Sequence, residues 1–339
     1  MPATLRKFGF ELEYASGAED MVRRLYDPSL NGLLGCDHLH DYHCRCEYCQ
    51  FTDFVHYGRD GNNTTHRPMP LRAQRDSTAN GEFITRPITD WDDFNEIATG
   101  LTEAARDANA TVNNRCGLHV HVDTLNADTR NPSRLQRHRI VPAAYLAYER
   151  YFTEIVAPGA SIRKREMNMT LMEAFRQYVS NNWGGRGMNT DWMDMGRGQL
   201  DEILLQVIAT DRHVDLNWSR NNGTWEFRCF NATNSPWRIE LACRLACAFV
   251  EAAPELRTEV ETTVKGGSFW PEGCDSPWGE IARPAFSELP TSHPTKRPTV
   301  PMARFIDILC DADPDLRPLI ERQAAYMRAR YAAEVEVAA

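Results

Sequence analysis

The chain has 339 residues, 42% of them hydrophobic, and a formal net charge of -9. This is the composition of an ordinary globular protein, and it contains no run of about 18 apolar residues, so no membrane-spanning helix is expected. The acidic excess argues against a surface that coats nucleic acid, and Met1 to Lys7 lack an export-signal pattern, so a cytoplasmic protein is expected.

Residues 8–14, Phe-Gly-Phe-Glu-Leu-Glu-Tyr, alternate as a strand does, which puts Glu11 and Glu13 on one face. A short helix is predicted over 19–27. Residues 31–70 have no period and are rich in His, Cys, Asn, Asp and Gly, so they form an insert. Strands are predicted at 70–75 and 81–87, joined by a segment of turn formers, Asp76 to Gly81, in which Asp76 and Ser77 are also candidate site residues. A helix follows over 90–109. Residues 117–123 alternate again, with Leu118, Val120 and Val122 on one face and His119, His121 and Asp123 on the other. Helical spacing recurs over 134–157, 171–181 and 198–211. The glycine-rich stretch 182–197 between the last two reads as a loop, with 184–188 a candidate lid. Strands at 214–219 and 224–230 flank Asn221-Asn222-Gly223, a hairpin signal. An apolar helix is predicted over 236–253, an irregular stretch over 264–300, and two helices at 301–311 and 315–335. Strands come in pairs with helices between them. That favours α+β with a mainly antiparallel, curved sheet packed by helices, in one domain over 1–339 that carries the insert.

Four strands carry unusual polar faces: Glu11 and Glu13; Glu82; His119 and His121; then Glu226 and Arg228, opposite Trp225, Phe227 and Cys229. A polar face on one strand is ordinarily the solvated side of a sheet. These faces hold carboxylates and imidazoles without Lys, and such groups are hard-to-borderline ligands for divalent cations. Converging glutamates would repel one another strongly without cations between them.

The motifs Phe8 to Glu13, Cys116 to His121 and Glu226 to Thr233, with a looser match at Asp76, Ser77, Gly81 and Glu82, resemble the amidoligase family related to glutamine synthetase and glutamate–cysteine ligase. The order along the chain agrees with that family. The resemblance implies a glutamine-synthetase-like fold and a ligase that activates a carboxylate with ATP and lets an amine attack the acyl phosphate. It further implies two or three Mg²⁺ held by Glu11, Glu13, Glu82, His119 and Glu226. His121 would contact the nucleotide phosphates and Arg228 would stabilise the phosphoryl group in flight, both acting with Glu82 in catalysis, and Arg220 and Asn231 would line the nucleotide or substrate site. The substrates implied are small-molecule or peptide carboxylates and amines.

Four of the ten cysteines, Cys36, Cys44, Cys46 and Cys49, lie close together. The Cys46-x-x-Cys49 spacing is that of a tetrahedral zinc knuckle, and His38, His40, His43 or His56 can substitute for a thiolate. A structural Zn²⁺ that folds the insert is expected. Two other readings compete with the ligase. One is a zinc metallohydrolase using His119, His121 and Asp123; it lacks further well-spaced ligands outside the insert. The other is a non-catalytic zinc-binding interaction module, which leaves the glutamate faces unexplained.

Overall fold

The computed structural model describes residues 6–26, 33, 34, 39, 70–75, 79–123, 140–156, 170–183, 203–208, 214–219, 223–266 and 301–338. These fall into two compact units, Met1–Val122 with Phe230–Cys243, and Asp123–Cys229 with Arg244–Ala339.

In the first unit the elements are β1 (Phe8–Tyr14), α1 (Ala18–Tyr26), β2 (Leu71–Gln74), β3 (Gly81–Thr85), α2 (Trp91–Asp107) and β4 (Gly117–Asp123). The strands lie in the order β2-β3-β1-β4, and each pairing is antiparallel. Alternation in β1 buries Phe8, Phe10, Leu12 and Tyr14 on the face that the helices cover. Helix α2 contributes Phe94, Ile97, Ala98, Leu101 and Ala105, spaced at three and four residues. Its Phe94 ring lies 6.0 Å from Phe10, and Trp91 lies 4.7 Å from Phe8. Each large side chain so buried contributes roughly 1.5–3 kcal/mol of transfer free energy. Helix α2 begins where the Asp90 carboxylate accepts the Asp93 N–H at 2.7 Å. Ahead of α1, Gly17 sits at φ +82°, in the left-handed region, and its α-carbon faces the Ala110 backbone.

The second unit holds α3 (Ile140–Val156), α4 (Leu171–Trp183), β5 (Leu216–Ser219), most of β6 (Thr224–Asn231), the larger part of α5 (Pro236–Gly266), α6 (Met302–Ala312) and α7 (Leu316–Ala338). Strands β5 and β6 form an antiparallel hairpin that turns through Gly223 at φ +65°. Phe227 on β6 meets the core formed by Tyr145, Phe152 and Phe249, with ring centroids 5.9, 5.5 and 6.1 Å away. Arg244, only 7% exposed, is pinned by both oxygens of Asp313 at 3.1 and 3.0 Å.

The α+β class with antiparallel strands agrees with the sequence expectation. Element bounds also agree closely for β1, α1, α2, β4 and the hairpin. Helix α5 is longer than expected: it runs through Pro254 to Gly266. A proline inside a helix costs roughly 3 kcal/mol. Here the buried Ala252 and Ala253 lead into it, Leu256 and Arg257 continue the buried stripe past it, and Tyr148 donates to the Leu256 carbonyl at 3.3 Å. Burial outweighs the local penalty. Of the stretch 198–211, residues 203–208 are described and are helical. Among the described residues no helix is long and apolar enough to cross a membrane.

The predicted zinc ligands Cys36, Cys44, Cys46 and Cys49, with His38, His40, His43 and His56, lie outside the described residues, as do Asp76, Ser77, Arg220 and the stretch 184–188. Three leucines of the insert are described and buried. Leu33 N–H donates to the Leu25 carbonyl at 3.0 Å, Leu34 bridges Leu71, and Leu39 packs over Gly81.

Candidate metal centre

Strand register places the ligand-type side chains. Across β1 and β4, Glu11 stands opposite His119 and Gly9 opposite His121. Across β1 and β3, Glu13 stands opposite Glu82, and across β2 and β3, Gln74 stands opposite Glu82. Directly opposed residues have β-carbons about 4.5–5.5 Å apart, so their polar ends meet on the face turned away from the helices.

The Glu11 carboxylate lies between two imidazoles. His119 Nδ1 is 3.1 Å from Oε2, and His121 Nε2 is 3.1 Å from Oε1. An Nδ1–H donated to Glu11 leaves the His119 Nε2 lone pair directed toward Glu13, whose Oε1 is 3.8 Å away. Glu13 Oε2 accepts the Gly117 N–H at 2.6 Å. Gln74 Nε2 donates to Glu82 Oε2 at 2.8 Å. The site is largely buried: Glu13 and Glu82 are each 5% exposed and His119 is 2% exposed, while Glu11 and His121 are half-buried.

Burial pushes the carboxyls of Glu82 and Glu11 both up, but their net shifts run in opposite directions. For Glu82, desolvation is the main cause of a pKa raised to about 9; the adjacent Glu11 and Glu13 charges add to it, and the Gln74 hydrogen bond opposes it. For Glu11, desolvation also raises the pKa, but the facing His121 and His119 together outweigh it and hold the carboxyl well below its usual range. Without a cation, Glu11 is thus ionised and Glu82 protonated. One ligand atom each from Glu11, Glu82 and His119 lie within 4.8 Å of one another. Two carboxylates and an imidazole in this arrangement fit a hard-to-borderline divalent cation, whose charge would replace the Glu82 proton.

The other predicted residues sit as follows. Asp123 ends β4, half-buried. Glu226 and Arg228 lie on β6 in the second unit, where Arg228 Nη1 pairs with Glu226 Oε1 at 2.5 Å. Asn231 is the last residue of β6. Two contacts were absent from the sequence reading. Gln74 could have been found from the period-two polar positions of β2 together with a short β2–β3 hairpin. The Gly117 N–H that anchors Glu13 is a backbone group, and no side-chain pattern marks it.

The fold and centre thus define an α+β protein whose antiparallel sheet carries a buried carboxylate–histidine cluster suited to a divalent cation. The family model described as "Putative amidoligase enzyme" matches residues 4–250, and the chain belongs to that family. The match includes every residue of the centre. No match was found among curated proteins.

Proposed function

We propose that the protein is an ATP- and Mg²⁺-dependent ligase that joins a carboxylate to an amine through an acyl phosphate. The observation that carries this reading is the convergence of Glu11, Glu82 and His119 in a largely buried site within the family match. Amide formation from a free carboxylate is uphill in water, so the carboxylate must first be activated. Bound Mg²⁺ and ATP would supply the phosphoryl group and offset the charge on its oxygens.

The chain's own groups hold and orient. Glu11, Glu13, Glu82 and His119 hold the cations, with Glu226 as a further ligand by the family resemblance. The two imidazoles flanking Glu11 and the Gly117 N–H on Glu13 fix carboxylate rotamers before any ligand arrives, which lowers the reorganisation needed on binding. His121 and Arg228 supply donors to phosphate oxygens, and a planar guanidinium suits that geometry. Burial excludes the water that would otherwise hydrolyse an activated acyl group. The acceptor is an amine and the donor a carboxylate, each a small molecule or peptide. A structural zinc in the insert 31–70, on Cys36, Cys44, Cys46 and Cys49, belongs to the same proposal and rests on the cysteine spacing.

The test is ADP release from MgATP in the presence of panels of carboxylic acids and amines. Release is expected to require Mg²⁺ and an amine. Glu11→Gln should lower it by roughly a hundredfold or more, and Glu13→Ala should abolish it while the fold survives. Full ADP release by either variant sinks the assignment. Metal analysis should find zinc that Cys46→Ser loses; equal zinc in both proteins removes that part of the proposal.

A further inference from the structure

Arg72 lies on β2, between the buried Leu71 and Ala73. It shares a sheet face with Gln74, because residues two apart in a strand point the same way. Gln74 reaches the centre by its hydrogen bond to Glu82. The register then gives two adjacent rows across the sheet. One runs Gln74, Glu82, Glu13, and the other runs Arg72, Ile84, Glu11, His119. Arg72 therefore opens the row that ends in two members of the metal cluster, with the apolar Ile84 between. Two interstrand spacings separate the Arg72 backbone from that of Glu11, roughly 10 Å. The long arginine side chain can cover most of that distance.

The state of this guanidinium sets it apart. Arg86 is paired with Asp93 at 2.5 Å, and Arg228 with Glu226. Nε is buried without a hydrogen-bond partner in all three arginines, and Arg72 differs in having no carboxylate paired with its Nη atoms among the described residues to offset it. A cationic N–H taken out of water without an acceptor is unfavourable. It is expected where a ligand supplies the acceptor.

We propose that Arg72 is a specificity-determining residue whose guanidinium holds a non-reacting oxyanion of the molecule bound at the carboxylate–histidine centre. That oxyanion is a carboxylate or a phosphate, and either matches the planar donor fork. The inference rests on the ligase reading for what else binds there, but it concerns anion recognition alone. The competing account is that Arg72 only lays its stem over the sheet face near an edge strand.

Binding separates the two. Wild type, Arg72→Ala and Arg72→Lys are titrated with Mg²⁺ alone, then in saturating Mg²⁺ with ATP, with glutarate and with butyrate. Arg72→Ala is expected to keep its Mg²⁺ affinity and to lose roughly tenfold or more in affinity for one anion. Loss for ATP marks the phosphate as the oxyanion. Loss for glutarate with no change for butyrate marks a second carboxylate on the acid substrate. Arg72→Lys keeps the charge and most of the stem, so at an unchanged melting temperature it should recover only part of the affinity. Equal binding of ATP and glutarate by wild type and both variants overturns the proposal, as does failure of wild type to bind either. ADP release with no dependence on Arg72 sinks this proposal and leaves the ligase. Arg72-dependent anion binding without ADP release does the reverse.

Discussion

Replacing Glu82 by Gln tests the electrostatics of the centre directly. In the folded, metal-free protein Glu82 takes its proton with a pKa of about 9, against an ordinary 4.5. A neutral glutamine copies that protonated form. Its carbonyl oxygen can accept from Gln74, and its amide can donate to Glu11, as a protonated carboxyl would. The sign follows from proton counting. Between pH 4.5 and 9 the folded protein holds a proton that the unfolded chain releases, so the wild type loses stability as pH rises through that window. The gap between about 9 and 4.5, at about 1.36 kcal/mol per pH unit, sets a ceiling of ~6 kcal/mol by pH 9 and ~3 kcal/mol at pH 7; relaxation and water entry lower both. Glu11 acts at the other end. Its depressed pKa contributes stability that is present above the ordinary carboxylate range and is lost as pH falls through the folded value.

The assay is urea denaturation of both proteins in chelator at pH 5, 7 and 9. Wild type and Glu82→Gln should match near pH 5. The variant should then be the more stable by a margin that grows with pH. Adding Mg²⁺ should stabilise the wild type most at high pH, where no proton competes for Glu82, and should stabilise the variant little. Parallel stability–pH curves for the two proteins would refute the assigned proton. Equal stabilisation by Mg²⁺ would refute the assigned ligand.

Two further predictions concern the scaffold. Asp313→Asn removes the bidentate partner of the buried Arg244 and should cost roughly 3 kcal/mol; Asp315→Asn, at a side chain 77% exposed, should cost less than about 1 kcal/mol, both read from denaturant midpoints. Gly17→Ala places a β-carbon 2.7 Å from the Ala110 α-carbon at φ +82°, so a loss of roughly 1–3 kcal/mol is expected by the same measurement; an unchanged midpoint would show that the turn before α1 can shift at no cost.

Much of the centre was legible because strands write their faces into the sequence with a period of two. Glu11 and Glu13 on one side of Phe10 and Leu12, and His119 and His121 between Leu118, Val120 and Val122, needed only alternation. Register was not legible. Glu11 and His119 are 108 residues apart, and Glu13 reaches Gly117 across 104. No local rule says which rung of one strand faces which rung of another; packing of the whole apolar face decides it. The same limit hid Gln74 and Arg72, whose polarity reads as the solvated side of an edge strand until β3 is laid beside β2. The length of α5 was hidden for a different reason. Pro254 is a local breaker, and the burial of Leu256 and Arg257 that overrides it is a tertiary effect.

Register also explains why the centre is built on strands. Neighbouring strands lie about 4.8 Å apart, and opposed side chains lean toward one another, so carboxylates and imidazoles on adjacent strands converge without a special loop. A slip of one residue between β1 and β4 would turn Glu11 and Glu13 into the helix-covered side and bring Phe10 and Leu12 out. The four aromatic and aliphatic residues buried on β1 therefore hold the candidate metal ligands in place as much as the hydrogen bonds among them do. The same rigidity imposes the electrostatic conflict. Glu11 and Glu82 cannot move apart to relieve their repulsion, so one of them keeps a proton. A core that fixes register thereby leaves a proton on Glu82, and that proton occupies the position a divalent ion would fill under the ligase reading.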